Sequence, residues 1–457
     1  MTRPGLLHSA GRIAPLAWPV FIGQLAVLAF STVDTVMVAR YAALDLAALA
    51  IGGAVYITVF VGLMGVVLAI GPIAGQLFGA RKLPEAGEQL HQAVWLALGL
   101  SVLGCALLLM PQPFLQAAQA QPAVADKVRA YLGNLAFALP AALLFQAFRG
   151  FNTAVSRPKI VMALQLGSLS LKLPLNALFI YGASDWHVPS LGAAGCGLAT
   201  AIVMWLQLLL AWWVLRRDPF YEPFNLHAMR LNPPHWRSLK ELLRLGVPMG
   251  LSILIEVTGF TFMAIFISRI GATPVAGHQL AANLVSLMFM MPLSIANATS
   301  TLVAQSIGAH APADARRLGW HGLQIGTLIA AVLGCGVYLT RESVLGAYTN
   351  NPIIIAAAMP LLAWVAVFHV ADAAQTIASF VMRAYRVATV PVVIYAVALW
   401  GVGLGGGYVV AFNLTGLTPA SLLGAPGFWS ACVTGLVLSG VGLCGFMAWV
   451  LRHKGGE

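Results

Sequence analysis

Gly75-Gln76-Leu77-Phe78-Gly79-Ala80-Arg81 returns 229 residues further on as Ala304-Gln305-Ser306-Ile307-Gly308-Ala309-His310. The same spacing, half the length of the 457-residue chain, pairs Pro19 with Pro248, Thr32 with Thr261, Arg40 with Arg269, Gln146 with Gln375, Phe151 with Phe380 and Arg157 with Arg386. Alanine and leucine matches carry little weight in so apolar a chain. The proline, arginine, glutamine and glycine pairs carry the argument: the first half of the chain recurs as its second half.

Hydrophobic residues make up 60% of the sequence and charged residues only 9%, a balance that requires lipid as the solvent for most of the surface. A spanning helix takes about 20 apolar residues. Twelve such stretches run near 16–39, 50–75, 92–111, 131–150, 160–181, 193–215, 246–269, 280–304, 320–340, 354–382, 390–412 and 427–451, the tenth being unusually long. The expected fold is therefore an all-α membrane protein of twelve transmembrane helices. A duplicated membrane bundle of this kind points to a transporter.

The formal charge of +11 does not call for nucleic acid, because basic loops beside membrane spans produce it through the positive-inside bias. Most of the 25 Lys and Arg, including Arg81, Lys82, Arg216, Arg217, Arg244, Arg316, Arg317, Arg383 and Arg386, fall on the side that carries both termini. Arg40, Lys127, Arg129, Arg269 and Arg341 fall on the other side, and Lys172 lies inside a span. Both termini are thus expected to be cytoplasmic, with the first span kept as an uncleaved anchor. The five cysteines are odd in number, sit in or beside apolar spans and show no metal-ligand spacing, so neither disulfides nor zinc are expected.

The proline-rich polar stretch between Arg216 and Arg244 reads as a cytoplasmic linker. It divides the chain into an N-terminal six-helix lobe (1–215), a linker (216–245) and a C-terminal six-helix lobe (246–457). Six is even, so both lobes enter the bilayer in the same sense and are expected to be related by a pseudo-two-fold axis along the membrane normal. Within each lobe the Gln76 and Gln305 loops are expected to end helices in left-handed glycine caps, with Glu85 and Asp314 suiting the dipole of the helix that follows.

Three carboxylates lie well inside apolar spans: Asp34, Glu256 and Asp372. An acid at such depth costs at least about 2.5 kcal/mol to insert, so it is expected to face the protein interior or a watery cavity. At the repeat spacing these acids stand opposite Met263, Val27 and Leu143; they arose by differentiation and are not part of the shared scaffold. The second half holds two of them. Two acids sharing a desolvated cavity do not both ionise cheaply, so Glu256 and Asp372 are expected to hold either a proton or a metal cation such as Na⁺. Glu256 lies about ten residues into its span, near mid-bilayer, and Asp34 about eighteen residues into the first, in the outer half.

Asn176 follows the span-interrupting Pro174 and comes to the depth of Asp34. It either shares a polar pocket with that acid or satisfies the carbonyl freed by the proline. Lys172, one turn earlier, demands a partner. Its stem is long enough to reach Asp34, where it would hold the acid ionised and compete with any bound cation; the alternative is snorkelling to an interface. Gln279, opening the eighth span, either lines a cavity or makes a helix-start hydrogen bond, and His369 is a further candidate for proton handling.

The motifs Val33-Asp34-Thr35-Val36-Met37, Pro174-Leu175-Asn176 with Phe179-Ile180-Tyr181-Gly182, Gly192-Ala193-Ala194-Gly195-Cys196-Gly197-Leu198-Ala199-Thr200-Ala201 and His278-Gln279-Leu280-Ala281 resemble those of multidrug and toxic compound extrusion (MATE) transporters of the NorM-like bacterial branch, and the likeness covers all twelve spans. It implies two six-helix lobes around a central cleft. It further implies an antiporter in a bacterial inner membrane that expels organic cations, aromatic dyes and drugs against inward sodium or protons, with no other cofactor. By the same resemblance Asp34, Asn176 and Thr200 belong to the site of the first lobe, and Glu256 with Asp372 to a cation site in the second; Asp34 is expected to join the coupling by protonation or to attract the cationic drug, with Asn176, Lys172, Thr200, Gln279 and Phe368 expected to line the substrate and ion cavity. Lys172 departs from the uncharged polar residue common among relatives. Phe368 stands where tyrosine is frequent, and Arg383-Ala384-Tyr385-Arg386-Val387-Ala388-Thr389 lacks the usual glycine and acid.

The chain is expected to act as a monomer in lipid, with small molecules and no nucleic acid as partners. A flippase for lipid-linked precursors, of related fold, would want a basic cavity where this chain's deep charges are mostly acidic. No spacing of an intramembrane enzyme is present, neither His-Glu-x-x-His nor a paired Gly-Ser site within a span.

Overall fold

In hydrocarbon every backbone N–H and C=O must find its partner inside the protein, so apolar stretches of this length fold as helices. The structure, a computed structural model, describes residues 5–117, 121–183, 187–227 and 231–453. The first half comprises α1 (Leu6–Tyr41), α2 (Ala43–Val67), α3 (Ile70–Gly79), α4 (Leu83–Leu109), α5 (Gln112–Ala117), α6 (Pro122–Ala154), α7 (Pro158–Tyr181) and α8 (Ala193–Arg217). The second comprises α9 (Trp236–Ser268), α10 (Ala272–Gly308), α11 (Pro312–Leu339), α12 (Arg341–Tyr348), α13 (Pro352–Leu362), α14 (Val365–Ala384), α15 (Thr389–Tyr395), α16 (Gly407–Ala411) and α17 (Ala425–His453). Among the described residues, 12 helices are long and apolar enough to cross a membrane, with α2 and α3 forming one span and α15 to α16 another.

Several edges differ from the sequence reading. The long tenth stretch is two helices, α13 and α14, separated where Trp364 N bonds Leu361 O at 3.3 Å in a tighter turn, just past the rung already lost to Pro360. Between α15 and α16 the chain runs as a π-helix over Ala396–Gly406, a widened turn that Gly401, Gly403, Gly405 and Gly406 accommodate. α9 begins at Trp236, inside the stretch read as linker. The left-handed residue after α3 is Arg81 (φ 58), and after α10 it is His310 (φ 55); Gly79 and Gly308 are the last helical residues. Each turn closes by a six-to-one bond, Lys82 N to Leu77 O and Ala311 N to Ser306 O, both 2.9 Å, which sets the left-handed position two residues past the glycine.

Contacts group the chain into two units, Ile22–Gly250 and Leu251–Glu457, the latter joined by α1 up to Phe21. The two points at which a helix passes from one unit to the other are themselves one repeat spacing apart, each two residues past Pro19 or Pro248. In the first unit the deeply buried α6 is packed by α2, α4 and α8; in the second, α14 is packed by α10, α11 and α17. The duplication seen in the sequence is therefore a duplication of packing, centred on the helices that carry Gln146 and Gln375.

Polar ties close one end of each unit. In the first, Asp218 pairs with Arg157 at 2.5 Å and caps the 3-10 turn Pro219–Phe224. Tyr221 of that turn donates to Asn152 Oδ1 at 2.5 Å, and Phe224 stacks on Phe78. In the second, Arg12 of α1 pairs with Asp314 at 2.9 Å, and Ser9 Oγ lies 2.7 Å from His321 Nδ1.

Lipid supplies no hydrophobic drive between helices, so close approach through small residues does much of the work. At Gly195 of α8 an added Cβ would run into the carbonyl of Phe179 on α7. Gly192, at φ +57, leaves room for Asp45, whose Oδ1 accepts from Ala193 N at 2.8 Å and whose carboxylate pairs with Lys127 at 2.9 Å. These contacts set the start of α8 and with it the side chains of Cys196 and Thr200. Gly195→Ala is expected to lower the melting temperature of the detergent-solubilised protein by an amount corresponding to about 1–3 kcal/mol. Gly336→Ala, whose added Cβ meets nothing within 4 Å, is expected to leave it unchanged or raise it.

Candidate functional site

In the first unit, α1, α7 and α8 bring four sequence-singled residues together. Ser31, Thr32 and Thr35 of α1 turn their hydroxyls back to carbonyls of their own helix, leaving Asp34 as the polar group that reaches across. Lys172 Nζ lies 3.1 Å from Asp34 Oδ1. Asn176, one turn on, donates from Nδ2 to the same oxygen at 2.7 Å, so its amide serves the acid. Lys172 also donates to the Cys196 carbonyl at 3.2 Å and to Thr200 Oγ1, and the Phe30 ring lies 4.9 Å from its ammonium. Lys172 and Asn176 are both 0% exposed. Asn176 Oδ1 has no protein partner among the described residues, while the Cys196 thiol and the Tyr131 ring complete the surroundings of Asp34.

In the second unit the acid pair is assembled from α9, α14 and the segment that follows. Asp372 is buried on α14 and accepts from Gln375 Nε2 at 3.1 Å. Glu256, half-buried on α9, is close enough for its charge to act on Asp372. The Trp400 indole, on the π-helical stretch, donates to the carbonyl of Ile255 at 3.0 Å and so ties that segment to the turn carrying Glu256. Gln375 Oε1 has no protein partner among the described residues. No group of three or more His, Cys, Asp and Glu side chains converges as a metal cage among the described residues. The donor set is thus two carboxylates with amide and hydroxyl neighbours, chemistry that suits a proton or a hard monovalent cation.

A family model described as MatE matches residues 19–178 and again residues 248–409, the two matches starting one repeat spacing apart at Pro19 and Pro248. The chain belongs to the MatE family. Among its relatives, the probable multidrug resistance protein NorM of Aromatoleum aromaticum is 39% identical over 443 residues, covering 97% of this chain and 94% of that protein. The protein of the same name from Chromobacterium violaceum is 37% identical, covering 99% and 96%. The crystal structure of the eukaryotic MATE transporter AtDTX14 matches with a TM-score of 0.87 at 17% identity, over 99% of this chain and 100% of that one, a likeness of fold alone. None of these relatives is named as an enzyme.

Two further residues singled out in the sequence, Gln279 and Phe368, have other surroundings. Gln279 is exposed, and it is its neighbour His278 that is buried, accepting from Trp429 Nε1 at 3.2 Å. Phe368 is wedged between Phe260 and Trp429, at centroid distances of 6.0 and 5.7 Å, inside an apolar core. His369 is fully buried, with neither ring nitrogen partnered among the described residues.

Sequence reasoning missed three groups near the acid pair. Arg383, counted there among the loop cations, is 5% exposed in the last turn of α14; its guanidinium stacks on Phe380 at 4.1 Å and its charge acts on Glu256. Tyr395, the last residue of α15, faces Glu256, Arg383 and Asp372. Cys432 of α17 senses Asp372. The only available signal was Arg383 itself, a cation immediately following the apolar run Ser379-Phe380-Val381-Met382.

The buried Lys172–Asp34 pair yields a thermodynamic expectation. Lys172→Met leaves a carboxylate without its partner and is expected to cost about 3–5 kcal/mol of stability, read as a drop in melting temperature in detergent. Adding Asp34→Asn to that variant removes the orphaned charge and is expected to restore most of the loss.

Proposed function

We propose that this member of the MatE family is a secondary-active multidrug exporter that antiports organic cations and aromatic drugs against inward Na⁺ or H⁺. The duplicated halves, residues 1–215 and 246–457 joined by 216–245, alternate between two arrangements. Binding of the coupling cation at Glu256 and Asp372 favours one of them, and drug binding favours the other. The observation that carries this reading is the acid pair itself: two carboxylates in one membrane unit, the charge of Glu256 acting on Asp372, with Arg383 the group of opposite sign acting on Glu256. Such a cluster retains a negative charge that a passing cation relieves.

The names of the relatives support drugs as cargo. The abundance of Trp and Phe side chains in a chain with 12 Trp and 21 Phe suits loose, shape-tolerant binding of flat aromatic cations. In the first half Asp34 and Thr200, each 8% exposed, are the polar groups that would attract a cationic drug, held from behind by the wholly buried Lys172 and Asn176. The protein is proposed to work as a monomer in the bacterial inner membrane with both termini cytoplasmic, using no cofactor beyond the coupling ion.

The test is dye efflux from cells or vesicles with an imposed ion gradient. Glu256→Gln and Asp372→Asn are each expected to reduce gradient-driven ethidium export by roughly tenfold or more, the loss of an interaction worth about 1.4 kcal/mol or more. Flux of ethidium down its own gradient is expected to remain measurable. Normal gradient-driven export by both variants would remove the coupling role from this pair, and imposing Na⁺ and pH gradients separately identifies the ion.

A further inference from the structure

Lys172 gives the first unit a cation of its own. Its ammonium is wholly buried and has an acceptor for each of its three N–H bonds: Asp34 Oδ1 at 3.1 Å, the Cys196 carbonyl at 3.2 Å and Thr200 Oγ1. The Phe30 face, 4.9 Å away, offers a cation–π contact on a further side. A proton or an alkali ion bound at Asp34 Oδ1 would have to take the place this ammonium fills, and one bound at Oδ2 would add a second positive charge beside the ammonium on the same carboxylate. The other groups around the acid, Asn176, Cys196 and Tyr131, carry no charge in their ordinary states. The cluster therefore holds one negative and one positive charge, which cancel.

The second unit does not cancel. Glu256 and Asp372 supply two negative charges and Arg383 one positive charge, while the facing Gln375, Tyr395 and Cys432 are neutral. One negative charge is left over. Its position beside a guanidinium, and not beneath an ammonium in direct contact, leaves the carboxylates free to take up a single cation.

We propose that Lys172 is a tethered substitute for a coupling ion: the first unit binds none, and each transport cycle is driven by one monovalent cation taken up by the Glu256–Asp372 cluster. The proposal rests on the antiport reading above and adds its stoichiometry. One positive charge enters as one monovalent cationic drug leaves, so that exchange is electroneutral. Removing the charge of Lys172 exposes Asp34 as a second cation site. Two charges then enter for each drug cation that leaves, and transport becomes electrogenic.

The test uses the full-length protein in proteoliposomes with ethidium as the monovalent probe. The Na⁺ and H⁺ gradients are held fixed while potassium and valinomycin set the membrane potential. For the wild type and for Lys172→Arg, the steady-state ethidium accumulation ratio is expected to ignore the potential. For Lys172→Met it is expected to shift roughly fiftyfold per 100 mV, the equivalent of about 2.3 kcal/mol for one net charge. A wild type whose accumulation ratio follows the potential overturns the proposal, as does a Lys172→Met protein that transports with no such response. A wild type that moves no ethidium under either ion gradient overturns the antiport reading and this proposal with it. A second measurement needs no transport: reaction of the purified protein with dicyclohexylcarbodiimide, which modifies protonated carboxyls in apolar surroundings, read by peptide mass spectrometry. Adducts are expected on Glu256 or Asp372 in the wild type, with Asp34 joining them only in Lys172→Met. Asp34 modified in the wild type to the same extent as the pair overturns the proposal.

Discussion

A charge placed in hydrocarbon must be answered by another charge, by hydrogen bonds or by water, and this requirement organises both units. In the first, charge answers charge: Asp34 Oδ1 meets Lys172 and Asn176, and Lys172 in turn exhausts its donors on Asp34, Cys196 and Thr200. In the second, the answer is partial. Among the described residues Asp372 has Gln375 as its hydrogen-bond donor, Glu256 acts on it with a charge of the same sign, and Arg383 offsets one of the two acids. Where the demand is met inside the protein the charges cancel; where it is not, a negative charge is left over.

The repeat shows how the two units came to differ. Packing is shared: α6 and α14 each sit at the centre of three neighbours, and the loops after α3 and α10 close by the same hydrogen bonds. Charge is not shared. The counterpart of Asp34 is Met263, a buried member of an apolar core, and the counterpart of Asp372 is Leu143, wholly buried on α6. Asp34 and Asp372 therefore stand where the other copy holds a buried apolar side chain, whereas Val27, the counterpart of Glu256, is 50% exposed.

Legibility in the sequence followed the same division. Features set by local chain chemistry were open to reading. The 229-residue spacing, the apolar spans and the reach of Lys172 to Asp34 each depend on residue type and separation along one or two helices. Features set by three-dimensional packing were not. Helices outrun their apolar stretches, so α9 starts at Trp236 and the arginine at the end of α14, at the edge of an apolar run, reads as a loop residue although Phe380 and the neighbouring helices bury it. Gln279 and His278 are adjacent, and only the rotation of α10 decides that the histidine goes inside. Phe368 lies one turn from Asp372 along the helix, yet its ring belongs to an aromatic core.

Backbone irregularity gathers around the charge that is left open. α14 starts fresh after the break at Ala363-Trp364, seven residues before Asp372, and the π-helical stretch begins immediately after Tyr395. From within that stretch Trp400 reaches the carbonyl beside Glu256. A widened or interrupted helix frees backbone groups and holds its side chains less tightly in register, conditions tolerated at membrane depth where they line a polar site. The first unit has its own interruptions, the break between α2 and α3 and Pro140 within α6, and at its charge pair Pro174, between Lys172 and Asn176. Pro174 deprives the turn of one N–H while its flanking side chains both bind Asp34. The unit whose charges cancel thus interrupts the helix at its pair with a single proline, and the unit left with a negative charge has a helix break and a π-helical stretch in the segments around its acids.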